Sequence, residues 1–452
     1  MDNRAAPEIP GLIQPGNVTQ DLKMMVCNLL NSPKPLKTFP GSQPVSFQHS
    51  DMEEKLMEKD YYVCEKTDGL RVLMLILINP ITREQGTFMI DRENNYYLVN
   101  GFRFPIMYKK KKEELLEKLQ DGTIIDGELV LQTNPATKMK ELRYLAFDCL
   151  AINGRSLVQS PTDKRLGHLN NEFYMPYFEL RKYYEQDYCR TFPFKISPKR
   201  MDFSYRLMRV ADSLDKLPHM SDGLIFTPIS LPYQLGGKDS NLLKWKPEEE
   251  NSVDFKLILD IPMVEDPSLP KKDPNRWYYN YDVKPTFQLH VWLGGADVNT
   301  RLEHFDEPFS KKELDLLERT YKKFAELNIS DEHWQELKNM EEPLNGRIVE
   351  CTKDQETGQW IMLRFRDDKL NGNHTSVVQK VLESINDSVT IEDLGDVVPR
   401  IKSAWDERHR HKAETSRNAS NGNSTWSQPA VAVARPTADE APKYVDEGDW
   451  SD

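Results

Sequence analysis

Eight short apolar runs between residues 51 and 260, each closed off by turn residues, limit the possible folds of this chain more than any other feature. They are Tyr61–Cys64, Val72–Ile78, Thr87–Ile90, Tyr96–Val99, Thr123–Gln132, Leu142–Ala151, Gly223–Thr227 and Val253–Ile258. Runs of this length and content read as strands. Helical patterns do not alternate with them, so the order needed for a doubly wound parallel sheet is missing. The fold class expected is α+β, with antiparallel sheets and flanking helices. No run approaches the roughly 18 apolar residues of a membrane span, and the opening residues lack the charged-then-apolar pattern of a secretion signal. Cys27, Cys64, Cys149, Cys189 and Cys351 form no CxxC pair and no metal-ligand spacing. They read as reduced thiols in an intracellular compartment.

At 452 residues the chain suggests two or three domains. Residues 1–245 form the first. Residues 246–395 form the second, with strands at Arg276–Tyr281, Thr286–Trp292, Gly346–Thr352 and Trp360–Arg366. These surround a strongly helical stretch, Ser310–Met340, expected to split near Asn328–Ser330. A five-strand barrel carrying a helical insertion at about 310–340 fits that spacing. Thr375–Ile385 and Ile391–His411 read as helices, with Pro399 a kink or break in the latter. That assigns 396–411 to a C-terminal helix. Residues 412–452 hold little to bury and read as a disordered acidic tail.

The formal net charge is −12, from 60 Lys and Arg against 72 Asp and Glu. The final seventeen residues carry six acids and one base, Lys443, hence −5, leaving −7 for the rest. An acidic body excludes a surface that coats long stretches of polyphosphate. It does not exclude a site that grips one end of an RNA.

Lys66 stands where one strand ends, and Thr67-Asp68-Gly69 leads directly into the next, with Arg71 following. An amine becomes a nucleophile when burial or nearby cations lower its pKa, and Arg71 is one such cation. The Lys-x-Asp-Gly tetrapeptide alone is weak, since about 0.1 chance matches are expected at typical residue frequencies. A β-hairpin with an Asp-Gly turn and a solvated lysine explains it equally well.

Further segments recur in an order that one phosphate site could use. Arg92 follows the Thr87–Ile90 strand. Glu128 lies inside the apolar strand Ile124–Val130, either at a solvent-facing edge or toward a cleft. Phe147 and Asp148 adjoin in Tyr144–Leu150, and Asp222 opens the Gly223–Phe226 strand. Lys244 and Lys246 share a face at strand period two. Two like charges there are destabilising unless an anion sits between them. Singly, each has a plain structural reading; together they point to a triphosphate.

In order, KTDGLR (66–71), DGELV (126–130), YLAFDCLAING (144–154), SDGLIFTP (221–228), LLKWKP (242–247) and RFRDDK (364–369) resemble the motifs of covalent nucleotidyltransferases. That superfamily comprises ATP-dependent DNA and RNA ligases and GTP-dependent mRNA-capping guanylyltransferases. The last motif, with Asp266–Pro270 and Arg276–Tyr278, resembles the capping branch, and the stretch from Ala6 to about Asp406 is similar to its fungal members.

The resemblance implies a nucleotidyltransferase domain followed by an OB-fold domain. It implies that Lys66 attacks the α-phosphate of GTP, expels pyrophosphate and carries GMP as a phosphoramidate. Arg71 and Glu128 would face the ribose, Arg92 the phosphates, and Phe147 would stack on guanine. Lys199 would reach the base carbonyl, with Lys195 a close competitor. Asp222, with Glu128, would serve the metal site, and Lys244 and Lys246 the α-phosphate. Arg364, Asp368 and Lys369 would act on the β- and γ-phosphates from a closing second domain, which aligns the leaving group and then withdraws. Mg²⁺ or Mn²⁺ is the implied cofactor, because hard cations suit phosphate oxygens. The implied partners are the 5′-diphosphate end of nascent mRNA, a separate RNA 5′-triphosphatase β subunit and the phosphorylated C-terminal domain of RNA polymerase II. The implied place is the nucleus.

Overall fold

The Leu70–Ile78 strand is apolar at nearly every position because both of its faces are covered. Val72, Met74 and Ile76 enter one core, while Leu73 and Leu75 enter another on the opposite side. Period-two alternation therefore divides a continuous hydrophobic run between two cores. The structure, a computed structural model, describes residues 7–34, 36–106, 114–134, 137–184, 189–247, 251–295, 311–354 and 357–421.

The chain divides into two units, one built from residues up to Lys246 together with those from Val389 onward, the other from Pro247–Ser388. Two sheets form the first. In the larger, the strands run Leu12–Ile13, Tyr96–Val99, Gln85–Ile90, Leu70–Ile78, Thr123–Thr133, Lys140–Ile152 and Lys195–Pro198, with Arg155–Ser156 beside Lys140–Ile152. The smaller runs Asp202–Phe203, Tyr61–Thr67, Ser221–Pro228, Lys238–Trp245 and Gln43–Ser46. Pairing is antiparallel except at two places not read from sequence, where Lys195–Pro198 lies parallel to Lys140–Ile152 and Gln43–Ser46 parallel to Lys238–Trp245. Helices cover both sheets. Leu22 and Val26 of Gly16–Leu29 close one core, and Phe173 and Tyr177, from the helical stretch Thr162–Tyr184, close the other.

Lys66 and Arg71 do not belong to a hairpin. Tyr61–Thr67 lies in the smaller sheet and Leu70–Ile78 in the larger, so the Asp68–Gly69 turn carries the chain from one sheet to the other. Tyr62 and Cys64 are buried in the core of the first unit. Lys66 continues their face one step beyond, where apolar packing ends.

The second unit is a closed five-stranded barrel of Ser252–Asp260, Thr286–Trp292, Tyr321–Leu327, Trp360–Phe365 and Ile348–Lys353. A five-stranded barrel is the OB-fold architecture. Its third strand corrects the sequence reading, which made Ser310–Met340 two helices parted near Asn328–Ser330. Helices occupy Lys311–Thr320 and Asp331–Asn339, but Tyr321–Leu327 between them pairs with Thr286–Trp292. Local preference in YKKFAEL suits a helix; burial of Tyr321 and Leu327 with pairing along a barrel strand outweighs it. Conversely, the strand expected at Arg276–Tyr281 shrinks to Trp277–Tyr279, which pairs with Met263–Glu265 outside the barrel.

Boundaries also differ from expectation. The chain rejoins the first unit at Val389 rather than after 395, because Val389, Leu394, Ile401 and Trp405 pack with Tyr61, Val63, Phe226 and Trp245. The helix Ile391–Asn421 continues through Pro399 and past 412, where the tail was expected to begin. Residues 422–452, the rest of that expected tail, lie outside the described residues. Among the described residues no helix is long and apolar enough to cross a membrane.

Candidate active site

A pocket opens between the two sheets of the first unit. Lys66 and Thr67 reach it from the smaller sheet, Arg71, Glu128 and Phe147 from the larger, and Arg92 and Lys199 from just beyond two strand ends. Six residues read from sequence as nucleotide-binding (Lys66, Arg71, Arg92, Glu128, Phe147 and Lys199) thus line one cavity.

At its edge Asp222 bridges two lysines. Lys66 Nζ lies 2.5 Å from Asp222 Oδ1, and Lys246 Nζ lies 2.5 Å from Asp222 Oδ2. Burial works to raise the Asp222 pKa, but the two ammonium groups and their hydrogen bonds outweigh it and hold the carboxyl below its ordinary range. Asp222 is thus the anion between Lys66 and Lys246, whereas the pair weighed from sequence was Lys244 and Lys246. A bulge positions it, since the register between Ser221–Pro228 and Tyr61–Thr67 shifts between Ser221 and Leu224. The bulge requires Gly223. Its φ is +142°, and a Cβ there would fall 2.1 Å from the Trp245 carbonyl oxygen. Lys244 stands opposite Ile225, a pocket residue. Burial lowers its pKa first, and Lys66, Lys246 and Lys238 lower it further.

Deeper in, Arg71 is locked. Its Nε donates to Asp126 Oδ1 at 3.1 Å and its Nη2 to Asp126 Oδ2 at 2.7 Å. Burial opposes the guanidinium charge, yet Asp126 keeps Arg71 firmly protonated. Arg71 also sits 5.4 Å from the Phe147 ring centroid, within cation–π range. Glu128 accepts from Thr67 Oγ1 at 2.6 Å and lies 3.8 Å from Lys199 Nζ.

Lys199 and Lys195 separate clearly. Lys199 is 4 % exposed, donates to Thr67 and lies 5.7 Å from the Phe147 ring centroid. Burial pulls its pKa down, but neighbouring Cys64, Glu65 and Glu128 more than restore it. Lys195 is absent from the pocket lining and pairs with Glu141 at 3.6 Å.

The remaining expected residues belong to the barrel unit and are tied there. Arg364 Nε donates to Glu350 at 2.7 Å, Asp368 accepts from Arg366 at 2.8 Å, and Lys369 donates to Asp254.

For a divalent cation the donor set is sparse. Among the described residues no three His, Cys, Asp or Glu side chains gather as a cage. A cation bound mostly through phosphates needs only one or two carboxylates. Asp222, ionised at the pocket edge, fits that requirement. Glu128, the other expected ligand, is engaged on the pocket wall by Thr67 and Lys199.

Sequence reasoning missed Asp126, Tyr233 and Ser42. Asp126 stood inside the quoted DGELV segment and carried a usable signal: a carboxylate in an apolar strand needs a buried cation. Ser42 and Tyr233 carried none, because only the fold brings them to Arg71.

Comparison with known proteins adds a family. The model described as mRNA capping enzyme, catalytic domain, matches residues 4–248, and that described as mRNA capping enzyme, C-terminal domain, matches residues 250–395. The chain is 73% identical to the mRNA-capping enzyme subunit alpha of Saccharomyces cerevisiae, over 100% of this chain and 99% of the relative. It is 72% identical to that of Candida glabrata, over 100% of both. At greater distance it is 36% identical to that of Schizosaccharomyces pombe, over 89% of this chain and 90% of the relative.

Proposed function

The chain belongs to the mRNA capping enzyme family, and from that premise we propose that it is an mRNA guanylyltransferase using Lys66 as its nucleophile. One observation carries the reading. A lysine emerges from a buried strand at the mouth of a pocket, with Asp222 and Lys246 beside it and an aromatic ring flanked by Arg71 and Lys199 within.

In the first step Lys66, its ammonium having given one proton to solvent or buffer, attacks the α-phosphorus of GTP as the amine. A P–N bond forms, the bond to the β-phosphate oxygen breaks, and pyrophosphate leaves. The proton lost from the amine passes to solvent or buffer. In the second step a terminal oxygen of a 5′-diphosphate RNA attacks the same phosphorus. The P–N bond breaks, lysine regains a proton, and the product is GpppRNA. A covalent intermediate splits one difficult displacement into two easier ones.

Phe147 stacks on guanine, Lys199 donates to its carbonyl, and Arg71 and Glu128 meet the ribose. Arg92, Lys244 and Lys246 hold phosphates whose negative charge replaces Asp222 as the partner of the lysines. Asp222, released from those lysines, is the residue to hold Mg²⁺ or Mn²⁺, which when bound neutralises phosphate charge. Arg364 and Lys369, cations held by Glu350 and Asp254, are the groups that would exchange those carboxylates for the leaving pyrophosphate, with Asp368 orienting Arg366 beside them.

The relatives are named subunit alpha, which supports a separate partner subunit. We assign that partner the RNA 5′-triphosphatase activity that prepares the diphosphate end. The phosphorylated tail of RNA polymerase II recruits the pair, and the work is nuclear, where nascent mRNA emerges.

Incubation with α-labelled GTP or ATP, followed by a denaturing gel, tests the reading. Label is expected on the protein from GTP. Label transferred from ATP alone would refute it. Phosphate released from triphosphate-ended RNA by this chain alone would refute the division of labour.

A further inference from the structure

Arg71 has five N–H donors, and the protein takes four of its donor contacts. Two go to Asp126, a third runs from Nη1 to the Ser42 carbonyl at 2.5 Å, and a fourth from Nη2 to Tyr233 Oη at 3.3 Å. Among the described residues one N–H is left, on a residue that lines the pocket.

Tyr233 is equally occupied. Its hydroxyl donates to Asp126 Oδ2 at 2.6 Å, and it accepts from the Ser42 backbone N–H at 2.8 Å as well as from Arg71. Burial, and then Asp126, push its pKa far up, so the phenol keeps the proton it donates. Arg165 braces the ring from behind, 5.4 Å from its centroid. Tyr233 therefore ties together three chain segments otherwise distant in sequence: Phe39–Ser42, the Arg71 strand and the Asp126 strand.

Ser42 is the exception in this satisfied network. It is 3 % exposed and lines the pocket, and its backbone makes both contacts just described. Its hydroxyl is buried and, among the described residues, has no hydrogen-bond partner. A buried hydroxyl without a partner is costly, and such groups in native proteins call for an explanation. Here the backbone on both sides of the Ser42 Cα is held by Tyr233 and Arg71, so at this cavity wall only rotation about the Cα–Cβ bond is left to turn the buried hydroxyl toward the cavity.

We propose that Ser42 Oγ is a sugar-specificity contact, hydrogen-bonded to a ribose hydroxyl of the bound nucleotide beside the spare N–H of Arg71, and that Tyr233 is the positioning residue which sets both. The proposal rests on the nucleotide reading of the pocket. It makes Pro40–Ser42, a segment outside every motif that marked the site, part of the nucleotide-binding wall.

The test compares GTP with its 2′-deoxy and 3′-deoxy analogues as donors of labelled nucleotide to the full-length protein, in wild type, Ser42→Ala and Tyr233→Phe. Adduct formation by wild type with GTP checks the underlying reading separately. Ser42→Ala is expected to raise the half-saturating GTP concentration about three- to tenfold, the range of one neutral hydrogen bond. The maximal rate of adduct formation should change less. With the analogue lacking the contacted hydroxyl, Ser42→Ala should change little, and the preference of wild type for GTP over that analogue should shrink by the same factor. Tyr233→Phe, which frees both Ser42 and Arg71, should shrink that preference further. Equal weakening of GTP and both analogues by Ser42→Ala would mean a merely structural serine and overturn the proposal. An unchanged half-saturating GTP concentration would overturn it as well.

Discussion

Removal of Asp126 should cost the first unit more than any single change at the pocket mouth. Asp126 is 0 % exposed, and Arg71, its bidentate partner, is 9 % exposed. Asp126→Ala leaves a buried guanidinium without the carboxylate that balances it, and breaking a buried pair in this way costs about 3–5 kcal/mol. The Tyr233 hydroxyl also loses its acceptor, a further cost of about 1–3 kcal/mol where nothing replaces it. A domain is stable by only about 5–15 kcal/mol, so the variant should be marginal. With a urea slope of about 3 kcal/mol per molar, the combined loss should lower the unfolding midpoint by roughly 1.3–2.7 M. Pulsed hydrogen exchange across a urea series, read at the Leu70–Ile78 strand in the full chain, assigns the transition to this unit. The paired replacement Arg71→Met with Asp126→Leu removes both charges at similar volume and should recover most of the loss. GMP attachment should be lost all the same, since the Arg71 guanidinium no longer faces the sugar. A midpoint shift under about 0.3 M for Asp126→Ala would refute the reasoning. So would a paired variant no more stable than the single one.

Lys66→Ala should form no acid-labile GMP adduct while keeping the wild-type circular dichroism spectrum; an adduct on that variant would require another nucleophile. Asp222 has a folded pKa below its ordinary value, so its contribution to stability is fully present above the unfolded carboxylate pKa of about 3.9 and is lost as pH falls through the folded value. The difference in unfolding free energy between wild type and Asp222→Asn should therefore stay constant from about pH 7 to 5 and narrow below about pH 4; a difference that grows on acidification would show the sign to be wrong. Lys199→Met should weaken GTP use by at least about tenfold, the scale of a lost charge-assisted hydrogen bond. Lys195→Met, which breaks only a loose surface pair with Glu141, should leave the same adduct assay within about twofold.

Much of the candidate site was legible because its chemistry is local. Lys66, Arg71, Glu128, Phe147, Asp222, Lys244 and Lys246 sit at strand ends or at period-two positions, where residue type and spacing alone say which side chains share a face. Their ordered recurrence, rather than any one of them, carried the resemblance. The barrel was legible in number of strands and less so in their identity. Tyr321–Leu327 has the composition of a helix and became a strand because Thr286–Trp292 offered it a pairing edge. Trp277–Tyr279 has the composition of a barrel strand and pairs elsewhere.

From its sequence alone this protein had its α+β class, its candidate nucleophile, its family of motifs and a charge balance that argues against coating a long polyphosphate. Tertiary structure alone decided that the Lys66 turn crosses between two sheets instead of closing a hairpin, and that Lys199 rather than Lys195 enters the pocket. It also placed Ser42 and Tyr233, distant in the chain, on the same guanidinium. Strand periodicity says which residues share a face of one strand. Which faces meet, and which polar atoms are stranded between them, depends on burial and pairing between segments that the chain joins only when it folds.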